Sequence, residues 1–411
     1  MMREMDFVDE YYADKDLSLL KKLTLVIPTY NRNYYLSRCL WYHAHFPFGE
    51  IIVADSSPEE KKIVNRETIA KIREMFGANV RYLEYEPETE KYGGDIYRKW
   101  GDAVQHVETE YTQVCTDKAF KMPLSEIECI DFLEKNDTYF SALFGRDCNF
   151  DGDGSVNNIY YVHESLKQTE GMNTPREFLR FHSAIASGWA ASTLLNVTRT
   201  KILMSIYATM FQNNISDIRF GELYLGYTGY IYGKCHFEQN GIASIRDTHK
   251  VNKNEIVSPH TKRTGSQNSS TTRYPNIPNY EYMGIQEGRD HMNNYYDAIN
   301  RQLKSNGLNR HESEKFIKDR LQYIILTEYG WLPKNPVLVN IYKRYPIVSR
   351  IYGSIPESGK KLLVGLFHPV QNKTNTADKA VQSSISEIVQ KVIVETDRDY
   401  DGDVVVHYLH Q

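Results

Sequence analysis

The sequence lacks the features that mark several common classes of protein. Its five cysteines are odd in number and include no C-x-x-C pair, which argues against a disulfide framework and a zinc knuckle. The net charge of −4 gives no basic surface for a nucleic acid. No run reaches the ~18 apolar residues of a membrane span, and the acidic start has no apolar signal region. We therefore expect a cytoplasmic protein with no nucleic-acid partner.

The length and a polar stretch late in the chain indicate more than one unit. At about 150 residues per domain, 411 residues suggest two or three units. The stretch 251–285 is rich in Ser, Thr, Asn and Pro and has no periodicity, as expected of a linker or a mobile loop. We predict a leader at 1–21, an α/β domain at 22–250, this linker, and a mainly helical C-terminal region at 286–411.

Apolar, β-branched runs alternate with amphipathic segments in the first third of the chain. The runs are KKLTLVIPTY, EIIVADSSP, NVRYLEYEP and YTQVCTDKAF. Such alternation predicts an α/β fold, with a mainly parallel sheet flanked by helices on both faces. Ligands of such sheets lie beyond the carboxyl ends of the strands. The site is therefore predicted at 28–32, 55–57 and 116–120.

The endings of the first two predicted strands carry a family resemblance. The first ends in Ile27-Pro28-Thr29-Tyr30-Asn31-Arg32 and the second in Ala54-Asp55-Ser56-Ser57. These endings resemble those of the GT-A glycosyltransferases called family 2, in particular its divergent bacterial branch for capsule and surface polysaccharides. The resemblance covers residues 22 to 240. It implies a Rossmann-like domain that takes a sugar from a nucleotide donor, whereas a nucleotidyltransferase would open with a glycine-rich loop that is missing here.

The resemblance also implies a set of donor-binding residues. It assigns the lining of the nucleotide pocket to Pro28, Thr29, Tyr30 and Arg32. Asp55 would hold the base or the ribose, and the alternative is that it caps the following helix. For Arg32 the alternative is a surface salt bridge. Lys99, in the helix before the fourth strand, would neutralise diphosphate charge, unless it is a solvated helical lysine.

The metal signature of the family is incomplete in this chain. Where the family has a D-x-D cluster, the sequence reads Thr116-Asp117-Lys118-Ala119. Asp117 could hold Mg²⁺ or Mn²⁺ only weakly, with water and donor phosphates completing the shell. Alternatively Lys118 replaces the metal charge at the leaving diphosphate, which we favour because an ammonium supplies that stabilisation directly. The third alternative is a degenerate, non-catalytic protein that binds a nucleotide sugar as a scaffold.

An inverting transfer requires a carboxylate that removes the proton of the acceptor hydroxyl. The family places this base at a helix start, before a glycine and a short strand, and SDIRFGELYLGYTGYIYGK fits this pattern. Glu222 matches best by its spacing to Gly233, and Asp217 is the alternative. Helix capping is the competing interpretation for both. Arg246 and His249 could close over the diphosphate as loop contacts.

The remaining expectations concern the partners. The resemblance implies a nucleotide-sugar donor and a glycan or lipid-linked acceptor in surface polysaccharide biosynthesis. The basic and apolar stretch at 359–367 would suit a peripheral contact at the inner face of the membrane, although such a stretch is more often a helix packed on its own domain.

Two strings, at 147–152 and 397–402, resemble calcium loops but lack the twelfth-position glutamate, and we interpret them as turns.

Overall fold

The computed structural model describes residues 14–87, 95–150, 156–160, 180–181, 183–184, 193–215, 218–247 and 286–303. A short 3-10 helix, Ser18–Lys22, precedes the first strand. The strands of the described residues are β1 (Leu23–Thr29), β2 (Glu50–Asp55), β3 (Val80–Glu84), β4 (Tyr111–Val114), β5 (Ala119–Lys121), β6 (Tyr139–Phe150), β7 (Val156–Tyr160), β8 (Val197–Arg199) and β9 (Lys234–Asp247).

Helices separate most of these strands. They are α1 (Asn33–Ala44), α2 (Glu59–Phe76), α3 (Asp95–Gln105), α4 (Pro123–Lys135), α5 (Thr200–Gln212), α6 (Ile218–Tyr227), α7 (Gly229–Tyr232) and α8 (Gln286–Leu303). The α/β class predicted from the alternating pattern is therefore confirmed. Helix α8 lies in the predicted helical C-terminal region, and 304–411 lie outside the described residues. The predicted domain boundaries stay predictions. None of the described helices combines the length and the apolarity needed to cross a bilayer.

The strands join in one mixed sheet in the order β3-β2-β1-β4-β8-β6-β9-β5, and β7 pairs with β6. Strands β1 to β4 pair in parallel, and β6 and β9 form a second parallel ladder. Strands β8 and β5 pair antiparallel to their neighbours. The single fourth strand predicted at 111–120 is wrong, because a turn after Val114 reverses the chain and β5 pairs with β9 instead.

The sheet is covered on both faces. Alternate residues of β1 point to opposite sides, since the side-chain period of a strand is two. Leu25 and Ile27 pack in a core with α1, α2 and α4, whereas Val26 packs in a second core with α3, α5, α6, α7 and α8. Strands β1 and β2 are buried along their whole length, as expected of parallel strands between helical layers. This leaves the carboxyl ends of the strands as the place for a ligand.

Candidate functional site

A cleft opens at the carboxyl ends of β1 and β4. Its described lining is Pro28, Thr29, Tyr30, Arg32, Ile96, Lys99, Trp100, Thr116 and Asp117. These residues come from the end of β1, the β1–α1 turn, the first two turns of α3 and the turn after β4. Ligands of parallel α/β sheets bind in this position. The structure therefore brings together six of the residues predicted to bind the donor.

The centre of the cleft is a network around Asp117. The Thr29 hydroxyl donates to Asp117 Oδ2 at 2.9 Å, and Arg32 Nη1 donates to Asp117 Oδ1 at 3.1 Å. The Asp117 side chain is 2% exposed, whereas that of Arg32 is 30% exposed. Arg32 follows Asn31, whose φ of 53° lies in the left-handed region that asparagine tolerates. The turn therefore sets an arginine at the mouth of the cleft and pairs it with the carboxylate.

Lys99 forms part of the cleft wall from α3. Its ammonium donates to the Thr29 carbonyl at 3.0 Å and to Ser56 Oγ at 2.7 Å. The residue is buried, so it is not a solvated helical lysine. Its two partners lie at the ends of β1 and beyond β2. Lys99 thus holds a positive charge beneath the β1–α1 turn.

The lining is electropositive and contains polar atoms without a protein partner. It carries two cations, Arg32 and Lys99, against one carboxylate, Asp117. Such a surface concentrates anions. The Trp100 indole N–H and the Thr116 hydroxyl are buried, and neither has a hydrogen-bond partner among the described residues. Buried polar groups are normally paired, so both are available to a ligand.

Ile96 and Trp100 are lining residues that the sequence reasoning missed. They lie three residues before and one residue after Lys99, in IYRKW. Positions i, i+3 and i+4 share one face of a helix. A helical projection anchored on Lys99 would have placed Ile96, Lys99 and Trp100 together on the side that faces the strand ends.

Lys118 follows Asp117 but is not part of the described lining. Its ammonium lies 4.0 Å from the centroid of the Tyr35 ring, at a distance that suits a cation–π interaction. Burial lowers the pKa of Lys118 to about 8, with a further lowering by Arg32, while Asp117 and Asp247 oppose the shift. Lys118 is therefore mainly cationic at neutral pH and partly neutral above pH 8. Its role at the leaving group stays a prediction.

Asp55 lies one strand away from the cleft and is fully buried. Its Oδ1 accepts from the Ser57 amide at 2.7 Å, and its Oδ2 accepts from Asn65 Nδ2 at 2.7 Å and from the Tyr82 hydroxyl at 2.6 Å. Asp55 does not cap α2, whose N-cap position is Pro58. A base or ribose could bond Asp55 at the remaining acceptor position of Oδ1 or by displacing one of these donors, and that role stays a prediction.

Those of the remaining predicted residues that the structure describes are not in the cleft lining. Glu222 is the fifth residue of α6, so the prediction that it lies at a helix start is wrong. Helix α6 packs against α3, α5 and α8. Arg246, near the end of β9, is exposed, lies opposite Ala119 of β5 and lowers the pKa of Lys118. Asp217 and His249 lie outside the described residues, as do the stretches 359–367 and 397–402. In the calcium-like string, 147–150 belong to β6, and 151–152 lie outside the described residues.

The described residues at the cleft fit a divalent cation poorly. The described part of the chain contains no group of three side chains of the kinds that ligate metals. Asp117 is the one carboxylate of the described lining, and Thr29 and Arg32 already use both of its oxygens. Mg²⁺ takes about six oxygen ligands and is usually held by one or two carboxylates together with substrate phosphates and waters. Asp117 would be the one carboxylate that the described lining offers to such a cation, and the cation would lie against the Arg32 guanidinium.

A second arginine–aspartate pair lies behind the cleft. Arg38 Nη1 donates to Asp247 Oδ2 at 2.7 Å, and both side chains are nearly inaccessible. The pair joins the middle of α1 to the end of β9, 209 residues later. The Asp247 amide also donates to the Lys118 carbonyl. This buried pair anchors the backbone of the turn that carries Asp117.

Comparisons with known proteins give matches at the level of structure. No family model and no curated protein matches the sequence. A crystal structure of S. aureus TarS matches with a TM-score of 0.40 and 13% identity, over 92% of this chain and 54% of that chain. The crystal structure of S. aureus TarS 1–349 in complex with UDP-GlcNAc matches with a TM-score of 0.44 and 11% identity. That match covers 95% of this chain and 92% of the TarS 1–349 chain.

Glucosyl-3-phosphoglycerate synthase from Mycobacterium tuberculosis, in complex with Mn²⁺, UDP and glucosyl-3-phosphoglycerate, matches with a TM-score of 0.27 and 11% identity. That match covers 58% of this chain and 75% of the synthase. This chain spans about half of the longer TarS chain. At these TM-scores and identities the similarities carry no inference about the activity of this chain. The function proposed below therefore rests on the geometry of the cleft.

Proposed function

We propose that this protein is a glycosyltransferase that binds a nucleoside diphosphate sugar in the cleft and transfers the sugar to an acceptor. The observation that carries the proposal is the electropositive lining at the carboxyl ends of β1 and β4. Arg32 and Lys99 outnumber Asp117, and a diphosphate is the part of the donor that such a lining would bind. The family-like ending of β1 supplies four of the nine described lining residues, Arg32 among them, which adds support from the sequence.

The proposed donor lies across the cleft with its diphosphate near Arg32 and Lys99. Guanidinium groups bind phosphate through two parallel hydrogen bonds, and an ammonium acts as a point charge. Tyr30 and Trp100 offer aromatic surface for the base, and the Trp100 N–H and the Thr116 hydroxyl offer two polar contacts. Both contacts would satisfy groups that have no hydrogen-bond partner among the described residues.

The proposed reaction is an inverting transfer. The acceptor hydroxyl attacks the anomeric carbon, the bond to the diphosphate breaks, and a carboxylate takes the hydroxyl proton. Glu222, or Asp217, is proposed as that base on the sequence pattern. The charge that develops on the leaving diphosphate would be stabilised by the fixed cations of the cleft, with Lys118 as a further cation beside it. Arg246, near the end of β9, and His249 are proposed as further contacts to the same group.

The proposed pathway rests on the sequence resemblance. It is surface polysaccharide biosynthesis in the cytoplasm, with a glycan or lipid-linked acceptor that could be reached at the inner face of the membrane. A second candidate function is nucleotide-sugar binding without turnover, as a scaffold of a glycan-assembly complex. The single carboxylate of the described lining favours this candidate, since the family cluster has more. Release of nucleoside diphosphate from a bound donor would distinguish the two.

Calorimetric titration with UDP, GDP, CDP and CMP tests the proposal. We expect one of the diphosphates to bind in preference to CMP, because the second phosphate meets the two cations. Lys99→Ala should weaken this binding by about tenfold, the typical effect of losing one charged contact. Lys201→Ala, which removes an exposed lysine at the start of α5, is the matched control and should bind like the wild type. Failure of all four nucleotides to bind would refute the proposed function.

A further inference from the structure

We propose that the cleft binds the diphosphate without a divalent cation, because Arg32 supplies the charge of the metal and Asp117 positions Arg32. The inference rests on the proposed function and concerns the same site. It assigns Asp117 a task other than metal binding. It also places the replacement charge on Arg32, at the end of β1, and not primarily on Lys118.

The carboxylate of Asp117 is committed to two donors inside the protein. Thr29 holds one oxygen and Arg32 holds the other, and the carboxylate is buried beneath them. A charge-assisted hydrogen bond to a guanidinium is stronger than one to a neutral donor and fixes the direction of the arginine. The geometry is therefore that of a carboxylate that orients an arginine toward the cleft.

A divalent cation at Asp117 would have to lie against Arg32 or displace it. The guanidinium would then lie beside the metal, and two cations at that separation repel each other in a partly buried site. Lys118 brings a further positive charge close to Arg32. The repulsion between the two lowers the pKa of Lys118, in addition to the effect of burial. The described surroundings thus contain enough fixed positive charge for a diphosphate, and they disfavour the addition of a metal ion.

Arg32 is better placed than Lys118 to meet the phosphates. Arg32 lines the cleft and keeps 30% of its side chain exposed, even though it is paired. Lys118 lies over the Tyr35 ring and is not part of the described lining. The planar guanidinium can bond a phosphate along one edge while another edge stays on Asp117. Ligand binding then retains the Arg32–Asp117 pair.

The test is calorimetric titration of the full chain with UDP, or with the nucleotide selected above, in EDTA and again in Mn²⁺. We expect dissociation constants that agree within about twofold between the two conditions, because no metal has to bind first. Arg32→Ala should weaken binding by about tenfold or more, and Arg32→Lys by less, because lysine keeps the charge without the planar fork. Arg66→Ala, at an exposed arginine of α2 that pairs with Glu59 and Glu84, is the matched control and should have no effect.

A double-mutant cycle isolates the positioning role of Asp117. If Asp117 acts through Arg32, Asp117→Asn weakens binding in the wild type but adds almost nothing to Arg32→Ala, because coupled residues are non-additive. A general structural effect of Asp117→Asn would weaken both backgrounds equally. Circular dichroism of each variant identifies any that fail to fold, and Arg32→Lys, which keeps the charge beside Asp117, then provides the comparison.

Two results would overturn the inference in different ways. Binding that requires Mn²⁺, is abolished by EDTA and loses its metal dependence in Asp117→Asn would make Asp117 a metal ligand, while leaving the proposed function intact. Absence of nucleotide binding in both conditions would remove the proposed function and this inference with it.

Discussion

Two arginine–aspartate pairs flank the start of α1, and they differ in access to solvent. Arg32 pairs with Asp117 at the cleft, and Arg38, six residues later, pairs with Asp247 behind it. The aspartates are equally buried, but the Arg32 side chain is 30% exposed and that of Arg38 only 3%. The same two residue types therefore form an open pair that can meet a ligand and a closed pair that can only fix the fold.

The energetics of the two pairs follow from this difference. A fully buried pair gains little net stability over an apolar replacement, but removal of one partner leaves an uncompensated charge in the interior. Around an open pair, water can solvate the charge that remains. Variants of the closed pair should therefore affect folding, and variants of the open pair should affect ligand binding.

The largest effect is expected at the closed pair. Asp247→Asn leaves the Arg38 guanidinium buried without its carboxylate, and we expect the free energy of unfolding to fall by about 3–5 kcal/mol. Urea denaturation monitored by circular dichroism measures this loss. A loss below about 1 kcal/mol would show that the pair is as open to solvent as an exposed ion pair.

A buried acid without such a partner sharpens the comparison. Glu126, in the first turn of α4, is buried, and burial raises its pKa to about 7, opposed by Lys121. The native state therefore keeps the Glu126 proton between about pH 4.5 and 7, where the unfolded chain has lost it, and stability falls as the pH rises through this window.

Glu126→Gln should remove this dependence on pH. We expect the variant to gain up to about 3 kcal/mol over the wild type at pH 8, and nothing at pH 4. Urea midpoints across the pH range measure the difference. An unchanged pH profile would mean that Glu126 titrates alike in the folded and unfolded states.

Helix α3, which carries Lys99, offers a test of the cleft wall. A Cβ at Gly101 would lie 2.7 Å from Tyr207 Cδ1 and also clash with the Phe211 ring, both on α5. Gly101→Ala should therefore cost about 1–3 kcal/mol of stability by overpacking. Because Lys99 and Trp100 would move with the helix, nucleotide affinity should fall as well. Gln105→Ala, at an exposed position of the same helix, is the control for both measurements.

The smallest effect on folding is expected at the open pair. Arg32→Ala should lower the free energy of unfolding by about 1 kcal/mol or less, because Asp117 keeps its bond from Thr29 and lies at a cleft that water can enter. Urea denaturation alongside Asp247→Asn gives the comparison directly. A loss as large as that of Asp247→Asn would assign the open pair to the fold and not to the ligand.

The sequence predicted the parts of the structure that depend on local pattern. The buried runs gave β1 to β3 with their neighbouring helices, and the rule that ligands lie at strand ends placed Thr29, Arg32 and Asp117 at one site. The pair of Arg38 in α1 and Asp247 in β9 was not predictable. The two residues are 209 positions apart in the sequence, and they meet because β9 pairs with β5 and β6. Residues 119–121 form a separate strand, β5, because they pair with β9 and do not extend the fourth strand.

The position of Lys118 shows a second limit of the sequence. Its place directly after Asp117 predicts a cation at the leaving group, yet adjacent residues after a strand project in different directions. The structure turns Lys118 to the Tyr35 ring and gives the described cleft Arg32 instead. Proximity in sequence placed Lys118 beside Asp117 but did not predict which cation lines the described cleft.

Hydrogen–deuterium exchange with and without saturating nucleoside diphosphate tests the central claim most directly, namely that the cleft of the open pair is the donor site. The account predicts slower exchange on binding in peptides that cover 28–35, 95–101 and 115–118. It predicts no change in peptides that cover α2. Slower exchange confined to other segments, with these three unchanged, would contradict it.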